Sequence, residues 1–599
     1  MFLKVNSLIC ICLLVSALNI TKSQSAAFID RRESKANFNV DMQIGLSENE
    51  VLQFAQTFSY KNTGFLMTDK VLAPFSNHFR LNQTYEGIKI YRAELKVNMD
   101  LYGNVLSFFD NTFSVEPIST TFPTQVDWLP IKALADKNGI EKFVCDNVFF
   151  PENESVLTPA VRLEIADKAD NYYETIVAVG GKVLYSQSLK MSVSDSPIET
   201  EIDTPATGNV FMPDPLTTSG NVYGSPWVDS SNGNTAELLS QLVSKTLITT
   251  FENDSFRLKN DFVLIKDVSS PYTPVAISVL PNFSFNRSQS GFEDVNVLYH
   301  ITTFNDYVRN TLGFSNICNY QVIADPHALN GADNSNFNPA QSPPRLSFGD
   351  GGVDDAEDAD VIVHEYSHAI SHSAAPNTNN GLQRMAMDEG IGDYFASSYS
   401  RSINPLFWES VYTWDGHNQF WAGRFTNSID HYPEDLVNNK YGDADIWSSV
   451  LMEIWGDIGR ETTDKLMIQA NQSFASNMTM PQAAVLYLQA DQLLFAWSHF
   501  QPIRDRMVAR GLLPTDVSVP TLSQTTMQLI NSSGFANGTG SAFVISPKSA
   551  NTPLLVFDIS GKFMFEVPFN ENVAELKQSD FQSGMFFVRS GGKVWKVVK

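Results

Sequence analysis

Residues 359–372, ADVIVHEYSHAISH, constrain the fold of this chain more than any other segment, because they set two histidines four residues apart in an apolar run. On a helix, positions i and i+4 project from one face, so His364 and His368 can reach one metal ion through their imidazole nitrogens. Glu365 lies one residue further round, close enough to take a proton from a water on that ion without binding the ion itself. The apolar flanks predict a buried helix, as a rigid metal site requires.

A third ligand is expected twenty residues beyond His368, in residues 387–396, MDEGIGDYFA. There Glu389 and Asp393 share a helical face at i and i+4. Glu389 completes a set of two histidines and one glutamate, which leaves the fourth position of a tetrahedral Zn²⁺ site for water. Asp393 can accept the second N–H of a ligand imidazole and fix its tautomer. We interpret His372, on the same face, as a helix-end residue because the ligand set is already complete.

The HExxH motif followed by DEGIGD at this spacing resembles the pattern of the thermolysin and fungalysin metallopeptidases. The resemblance implies a secreted zinc endopeptidase that hydrolyses protein or peptide substrates with a zinc-bound water activated by Glu365. It also implies a two-lobed thermolysin-like catalytic domain, with an α+β N-lobe and a helical C-lobe. The HExxH helix would then form the floor of the cleft between the lobes.

Upstream of the histidines, residues 334–338, NSNFN, and residues 348–351, FGDG, resemble the edge-strand segment of thermolysin. In that family the backbone and an asparagine amide of this segment pair with an extended substrate, which adds to the sheet as a further strand. The resemblance makes Asn334 and Ser335 candidate substrate-binding residues.

The segment at residues 441–455, YGDADIWSSVLMEIW, departs from the family, which usually carries a histidine where Tyr441 stands. That histidine stabilises the tetrahedral intermediate. A phenol can also donate a hydrogen bond to an oxyanion, so Tyr441 is a candidate catalytic residue and His431, ten residues upstream, is another. The departure also supports a rival function, a catalytically impaired surface binding protein on a peptidase fold, although the metal-ligand motif is intact. An aminopeptidase is less favoured because the chain lacks a Gly-x-Met-Glu-Asn amine-recognition motif.

The residues just before the histidine pair are strongly acidic, with six carboxylates and no base between positions 350 and 360. This run is either a solvated loop or a site for a hard cation. Asp360, four residues before His364, matches a calcium-ligating position of thermolysin, so we consider Ca²⁺ as a second cofactor. The whole chain has a formal net charge of −25, which argues against a nucleic-acid-binding protein.

The length of 599 residues predicts three or more folded units. Residues 1–24 are predicted to be a signal peptide, because a lysine precedes an apolar run of eleven residues, LICICLLVSAL, which is too short to span a bilayer. Residues 25–203 alternate apolar and polar positions, and QTYEGIKI, AEL and GNVLS within them resemble the fungalysin/thermolysin propeptide. Residues 131–190 are similar to the propeptide-associated repeat that usually follows it. The resemblance implies a β-rich propeptide that acts as an intramolecular inhibitor. An unrelated β-rich binding domain is the alternative.

The catalytic domain is predicted to span residues 204–516, since VFMPDP near its start is similar to the beginning of mature fungalysins. Residues 517–542 are rich in Ser, Thr, Asn and Gly, as a linker would be. Cys145 and Cys318 fall on either side of the predicted processing point, so no internal disulfide is expected in the mature enzyme.

Residues 543–599 contain LLVFDISGK, FQSGMFFVR and GKVWKVVK, which look like the C-terminal sorting domain of type IX secretion substrates. This resemblance implies a β-sandwich recognised by the type IX secretion machinery. It also implies a secreted or cell-surface protein that crosses the periplasm and outer membrane of a Gram-negative bacterium. A carbohydrate-binding or adhesive β-module is the rival interpretation. The predicted fold class is therefore multidomain α+β.

Overall fold

A computed structural model of the chain describes most of the residues from 33 to 517 and seven strands beyond them. The described ranges are 33–38, 42–135, 140–167, 172–188, 203–517, 528–530, 541–545, 554–558, 563–568, 573–577, 585–590 and 593–598. The chain forms two compact units, one reaching to residue 494 with residues 501–513, and the other of residues 495–500 and 514 onward. The predicted signal peptide, 1–24, lies outside the described residues. Among the helices that are described, none is long and apolar enough to cross a membrane.

The N-terminal part of the first unit is a nine-stranded sheet with two helices. The strands are β1 (Lys35–Phe38), β2 (Thr63–Leu72), β3 (Asn77–Tyr85), β4 (Ile88–Met99), β5 (Val105–Asp110), β6 (Ile140–Asn153), β7 (Val156–Asp167), β8 (Tyr172–Ala178) and β9 (Val183–Ser188). Their order is β1-β5-β4-β6-β7-β8-β9, with β3 paired to both β2 and β4. Helix α1 (Glu48–Gln56) begins with a capping box between Ser47 and Glu50, and α2 (Gln125–Ala135) follows β5. Apolar side chains of α1, β3 and β4 form a buried cluster, as their alternation in the sequence predicts.

Two smaller sheets begin at residue 203. Their strands are β10 (Asp203–Val210), β11 (Val243–Glu252), β12 (Ser255–Arg257), β13 (Val263–Ile265), β14 (Ile277–Ser278), β15 (Asn282–Phe283), β16 (Val322–Ala328), β17 (Ser335–Asn338) and β18 (Arg345–Gly349). One sheet has the order β14-β12-β11-β10-β15 and the other has the order β13-β16-β18-β17. Strand β17 is therefore at the edge of its sheet, and it pairs antiparallel with β18.

Helices dominate the rest of the first unit. They are α3 (Pro215–Ser219), α4 (Ala236–Leu239), α5 (Gly291–Asp306), α6 (Ala359–Ala374), α7 (Leu382–Ile403), α8 (Ala444–Ile458), α9 (Arg460–Gln472), α10 (Met480–Phe495) and α11 (Phe500–Ala509). The short strands β19 (Ser410–Val411) and β20 (Arg424–Phe425) pair between α7 and α8. Helix α6 packs against α5, α7 and β17, so the HExxH segment is buried at the centre of this part of the chain.

The C-terminal unit contains two described sheets. Its strands are β21 (Gln528–Ile530), β22 (Ser541–Ile545), β23 (Leu554–Asp558), β24 (Phe563–Val567), β25 (Val573–Lys577), β26 (Met585–Ser590) and β27 (Lys593–Val598). The sheet orders are β21-β22-β25 and β24-β23-β26-β27. The predicted linker, 517–542, thus contains the described strand β21 and the first residues of β22.

The prediction of a multidomain α+β protein is confirmed, since sheets and helices occur together in distinct parts of the chain. The two-lobed catalytic domain, the C-terminal sandwich and the domain boundaries stay predictions. Neither Cys145, which is exposed, nor Cys318, which is buried, forms a disulfide.

Candidate metal centre

Helices α6 and α7 bring the predicted metal ligands together. Asp358 caps α6 by accepting a hydrogen bond from the backbone of Asp360. The second glycine of DEGIGD allows α7 to approach closely, because a Cβ at Gly392 would lie 2.5 Å from His364 Nδ1. A Cβ at Gly390 would likewise lie 2.5 Å from the carbonyl oxygen of Ala444 at the start of α8. The two glycines therefore set the spacing on which the site depends.

The side chains of His364, His368 and Glu389 form a group whose candidate ligand atoms all lie within 4.8 Å of one another. His364 Nε2 is 3.6 Å from Glu389 Oε2, and the two imidazole rings are nearly perpendicular, with centroids 4.8 Å apart. Ligands at Zn–N and Zn–O distances of about 2.1 Å in a tetrahedron would be about 3.4 Å apart. Two imidazole nitrogens and one carboxylate at this spacing fit a Zn²⁺ ion.

Each imidazole is oriented by a carboxylate of α7. His364 Nδ1 lies 3.0 Å from Asp393 Oδ1, although the N–H is not directed well enough to count as a hydrogen bond. His368 Nδ1 lies 2.9 Å from Asp388 Oδ2 in a hydrogen bond. Both contacts turn the Nε2 atoms of the histidines toward the shared site, as a carboxylate behind a ligand histidine does.

The electrostatics of the centre favour a bound cation. Burial disfavours the charged form of Glu389, but His364, His368 and Lys440 outweigh it and hold the pKa of Glu389 well below its usual range. Burial also opposes ionisation of Asp388, yet Arg384 and His368 hold its pKa low. The pKa of His364 rises to about 9 because Asp393 and Glu389 outweigh the effect of burial. The carboxylates are therefore ionised at neutral pH, and their negative potential attracts positive charge.

A cavity of about 1050 Å³ opens onto the centre. It is lined by the three candidate ligands, by Glu365, and by Asn334 and Ser335 of the predicted substrate-binding segment. Asn336 also lines it, and neither polar atom of its amide has a hydrogen-bond partner among the described residues. An unsatisfied amide beside an edge strand can bind the backbone of an extended peptide.

The two candidate oxyanion residues lie in different surroundings. Tyr441 lines the cavity, and Lys440 Nζ lies 4.2 Å from the centroid of its ring. His431 is not among the residues that line the cavity, and its backbone N–H donates to Asp435. The assignment of either residue to the oxyanion stays a prediction, with Tyr441 the better placed.

The candidate calcium ligand Asp360 is buried beneath the centre. One of its carboxylate oxygens accepts a hydrogen bond from Ser400 Oγ, and the other accepts one from the backbone N–H of Tyr412 at 3.0 Å. Both oxygens thus have protein donors, and the role of Asp360 in binding calcium stays a prediction. The acidic run around it is not a solvated loop, because every carboxylate in it from Asp354 to Asp360 is buried.

Sequence reasoning missed several residues of the site. Asp388 could have been predicted, since it precedes Glu389 directly. Tyr412 donates a hydrogen bond of 2.8 Å to Asp393, and Arg424 donates one of 2.7 Å to the Tyr412 hydroxyl. Lys440 Nζ lies 2.5 Å from Glu389 Oε1. These last three residues come from loops and a two-residue strand that no motif marks.

The chain is similar to known proteins in its propeptide region and over much of its length. A family model described as the fungalysin/thermolysin propeptide motif matches residues 76–112. The chain is 21% identical over 453 residues to extracellular metalloproteinase 5 of Arthroderma otae, which covers 63% of this chain and 69% of the relative. It is 24% identical over 452 residues to extracellular metalloproteinase 1 of Arthroderma benhamiae, covering 63% and 68%.

Among solved structures, the precursor of protealysin, a metalloproteinase from Serratia proteamaculans, matches 37% of this chain and 78% of its own at 11% identity, with a TM-score of 0.30. The chain is thus a distant relative of proteins named extracellular metalloproteinases, and it carries a propeptide motif.

Proposed function

We propose that this protein is a secreted zinc-dependent endopeptidase made as a zymogen. The observation that carries the proposal is the convergence of His364, His368 and Glu389, with candidate ligand atoms within 4.8 Å of one another, at a cavity that Glu365 also lines. These three residues would hold Zn²⁺. When bound, the ion would act as a Lewis acid that polarises the scissile carbonyl and lowers the pKa of a water molecule.

The chain's own residues supply the proton transfers. Glu365, on the same helix as the two histidines but outside the ligand set, takes a proton from the attacking water and passes it to the leaving amine. Asp393 and Asp388 hold the two imidazoles in the orientation that frees their Nε2 atoms. Arg424 and Tyr412 fix Asp393 in turn, so the arrangement does not have to form during the reaction.

The substrate lies along the edge of β17 in this proposal. Its backbone pairs with Asn334 and Ser335, and the free amide of Asn336 gives a further hydrogen bond. Tyr441 donates to the oxyanion, with the positive charge of Lys440 beside it. His431 is the second candidate for the oxyanion.

The N-terminal sheet serves as the propeptide. Its docking face, made of Ser76, Lys96, Asn98 and Asn111, falls within the matched propeptide motif. Three of these side chains donate to backbone carbonyls in the turn 473–477, which follows α9. Lys96 reaches Phe474 O at 2.5 Å, Asn98 reaches Ser473 O at 3.1 Å, and Asn111 reaches Ser476 O at 3.1 Å.

The turn 473–477 connects the docking face to the cavity. The backbone N–H of Asn477 donates to Asn380 O at 2.7 Å, and Asn380 lines the cavity. Ser34 also donates its backbone N–H to Asn477 O at 3.0 Å. The turn that binds the N-terminal region therefore also makes a hydrogen bond to a residue that lines the proposed active site. This connection supports a role of the N-terminal region as intramolecular inhibitor.

Export is proposed to use the predicted signal peptide and a C-terminal sorting domain read by type IX secretion machinery. The β-rich C-terminal unit and the extracellular location named for the relatives are compatible with that route. The mature protein should begin near residues 200–208 and lack the block from 543 onward. Intact mass and N-terminal sequencing of the secreted protein check this, and residues 30–200 still attached to fully active enzyme would contradict it.

The test of the catalytic proposal is Glu365→Gln. The variant should retain zinc, because all three ligands remain, and lose about a thousandfold of its peptidase activity, because the proton acceptor is gone. Zinc content and cleavage of an unstructured protein are measured together, with the exposed Glu434→Gln as the matched control. Activity within tenfold of wild type would end the role of Glu365. Zinc-loaded wild type that cleaves no peptide would favour the rival binding protein.

A further inference from the structure

A second group of carboxylates lies outside the metal centre. Glu293 in the first turn of α5, Asp354, and Glu357 in a short 3-10 turn before α6 place candidate ligand oxygens within 4.8 Å of one another. All three side chains are enclosed, with exposed fractions of 1%, 2% and 0%. The enclosure excludes a substrate side chain as the partner of this group.

Three oxygens of the group have no protein donor. Neither carboxylate oxygen of Glu293 accepts a hydrogen bond from the described residues, and Glu357 Oε1 accepts none either. The nearest cation to Glu293 is His327, whose Nε2 lies 3.8 Å from Glu293 Oε2 but is directed to the carbonyl of Ser290. A buried carboxylate without a donor is strongly destabilised unless a cation meets it or it takes up a proton.

The other oxygens of the group are already used. Glu357 Oε2 accepts from Arg287 Nε at 3.0 Å and from Trp414 Nε1 at 2.9 Å. Asp354 Oδ2 accepts from Asn232 at 2.7 Å. The protein therefore orients Glu357 and Asp354 through one oxygen each, while both oxygens of Glu293 and Glu357 Oε1 accept no hydrogen bond from the described residues.

Charge in this region is not balanced by the protein. Arg287 also pairs with Asp229, and His327 pairs with Asp350, each within 3 Å. Two cations thus face five carboxylates, so the protein supplies too few cations to pair with all of them. The pKa of Glu293 is raised well above its usual range by burial and by Glu357, as expected where no cation compensates the carboxylates.

We propose that Glu293, Asp354 and Glu357 bind one Ca²⁺ ion that joins α5 to the turn leading into α6. An all-oxygen donor set selects a hard cation over zinc. Calcium fits better than magnesium because an enclosed site leaves little room for the waters that Mg²⁺ retains. The site is distinct from Asp360, whose oxygens are occupied, and from the metal centre. Its ion would hold the N-terminal end of the HExxH helix in place.

The test uses the full-length protein and Glu293→Gln, which keeps the shape of the side chain and removes its charge. Calcium and zinc per chain are measured after equilibration with both ions. Wild type should hold one more calcium than Glu293→Gln, with equal zinc, and the exposed Glu237→Gln should match wild type. Tb³⁺ luminescence excited through Trp414, which contacts Glu357, should fall at least fivefold in Glu293→Gln.

Another carboxylate group is the alternative location for the calcium ion, and a variant in it tests which group binds the ion. Asp333, Asp355 and Asp415 also lie within 4.8 Å of one another, but they line the cavity. If Asp415→Asn removes the calcium and the Tb³⁺ signal while Glu293→Gln keeps both, the proposal is overturned. If wild type binds calcium at this site but binds no zinc, the result would count against the peptidase proposal alone.

Thermal unfolding of wild type covers the case in which Glu293→Gln does not fold. At fixed zinc, saturating Ca²⁺ should raise the unfolding midpoint by about 5 °C and Mg²⁺ by clearly less. Equal midpoints with and without Ca²⁺ would overturn the proposal.

Discussion

The metal centre and the docking face of the N-terminal sheet both bury charged side chains, but they neutralise them in different ways. At the metal centre, Asp388 and Asp393 each meet an imidazole and an arginine, and their pKa values are held low. At the docking face, Lys96 is 3% exposed and donates to a backbone carbonyl, which carries no charge. Burial and Arg80 lower the pKa of Lys96 to about 7, and Glu94 opposes them only in part.

This difference implies that the arrangement of the metal centre is permanent, whereas the docking of the N-terminal sheet is reversible. The carboxylates of the metal centre are held ionised at neutral pH, so the contacts that orient the histidines persist there. The docking face contains a base that titrates near neutrality, so its stability changes in that range. A zymogen needs both properties, since its active site must survive the release of its propeptide.

Among the variants that test this comparison, Tyr441→Phe at the cavity of the metal centre should have the largest effect after Glu365→Gln. If the phenol donates to the oxyanion, its hydrogen bond strengthens as charge develops, so its loss lowers kcat more than it raises KM. The expected fall is about a hundredfold or more. Steady-state kinetics measure it, with His431→Ala as the paired variant that should change little. The reverse pattern would move the role to His431.

A smaller effect is expected from Asp393→Asn. The amide retains the size of the carboxylate but loses its charge, so His364 is less well oriented and less basic. We expect zinc affinity or activity to fall ten- to a hundredfold. Zinc titration against a competing chelator and peptidase assays measure the change. Asp388→Asn should behave alike if the two carboxylates have equal roles, and an unchanged Asp393→Asn would show that the imidazole is held by packing alone.

The smallest effect is expected at the docking face, where the stability of docking should depend on pH. Lys96 has a pKa of about 7 when docked and an ordinary value near 10.4 when released, so the released form binds more protons between these values. Docking is therefore stabilised as pH rises through this window, and it should tighten about fivefold from pH 7 to pH 8.

The measurement uses protein cut between residues 188 and 203 and follows separation of the two pieces by size-exclusion chromatography at each pH. Lys96→Met should remove most of the pH dependence, because Lys96 is the side chain of the docking face whose pKa lies near neutrality. Lys89→Met, an exposed lysine on the same strand, should keep it. A wild-type complex that weakens from pH 7 to pH 8 would contradict the assignment to Lys96.

The metal ligands could be predicted from sequence because helical periodicity fixes their geometry. His364 and His368 lie on one face by spacing alone, and the pair Glu389 and Asp393 repeats that logic on α7. Lys440, Tyr412 and Arg424 could not be predicted, since loop conformation brings them to the site and no periodicity describes a loop. The docking contacts depend on residues almost 400 positions apart, as for Lys96 and Phe474. The β-rich N-terminal region was predictable from alternation, but its contact with the turn 473–477 was not.

Strand β17 ends its sheet with one edge unpaired by any described strand, and this has a consequence for how inhibitors could be recognised. A peptide that adds to this edge must be extended, and its backbone N–H groups must point alternately toward the strand and away from it. Methylation of single backbone nitrogens would then weaken binding at every second residue and leave the others tolerant. An inhibitor methylated only at the tolerant positions would still bind β17. It would resist other proteases that need a hydrogen bond from the methylated nitrogens.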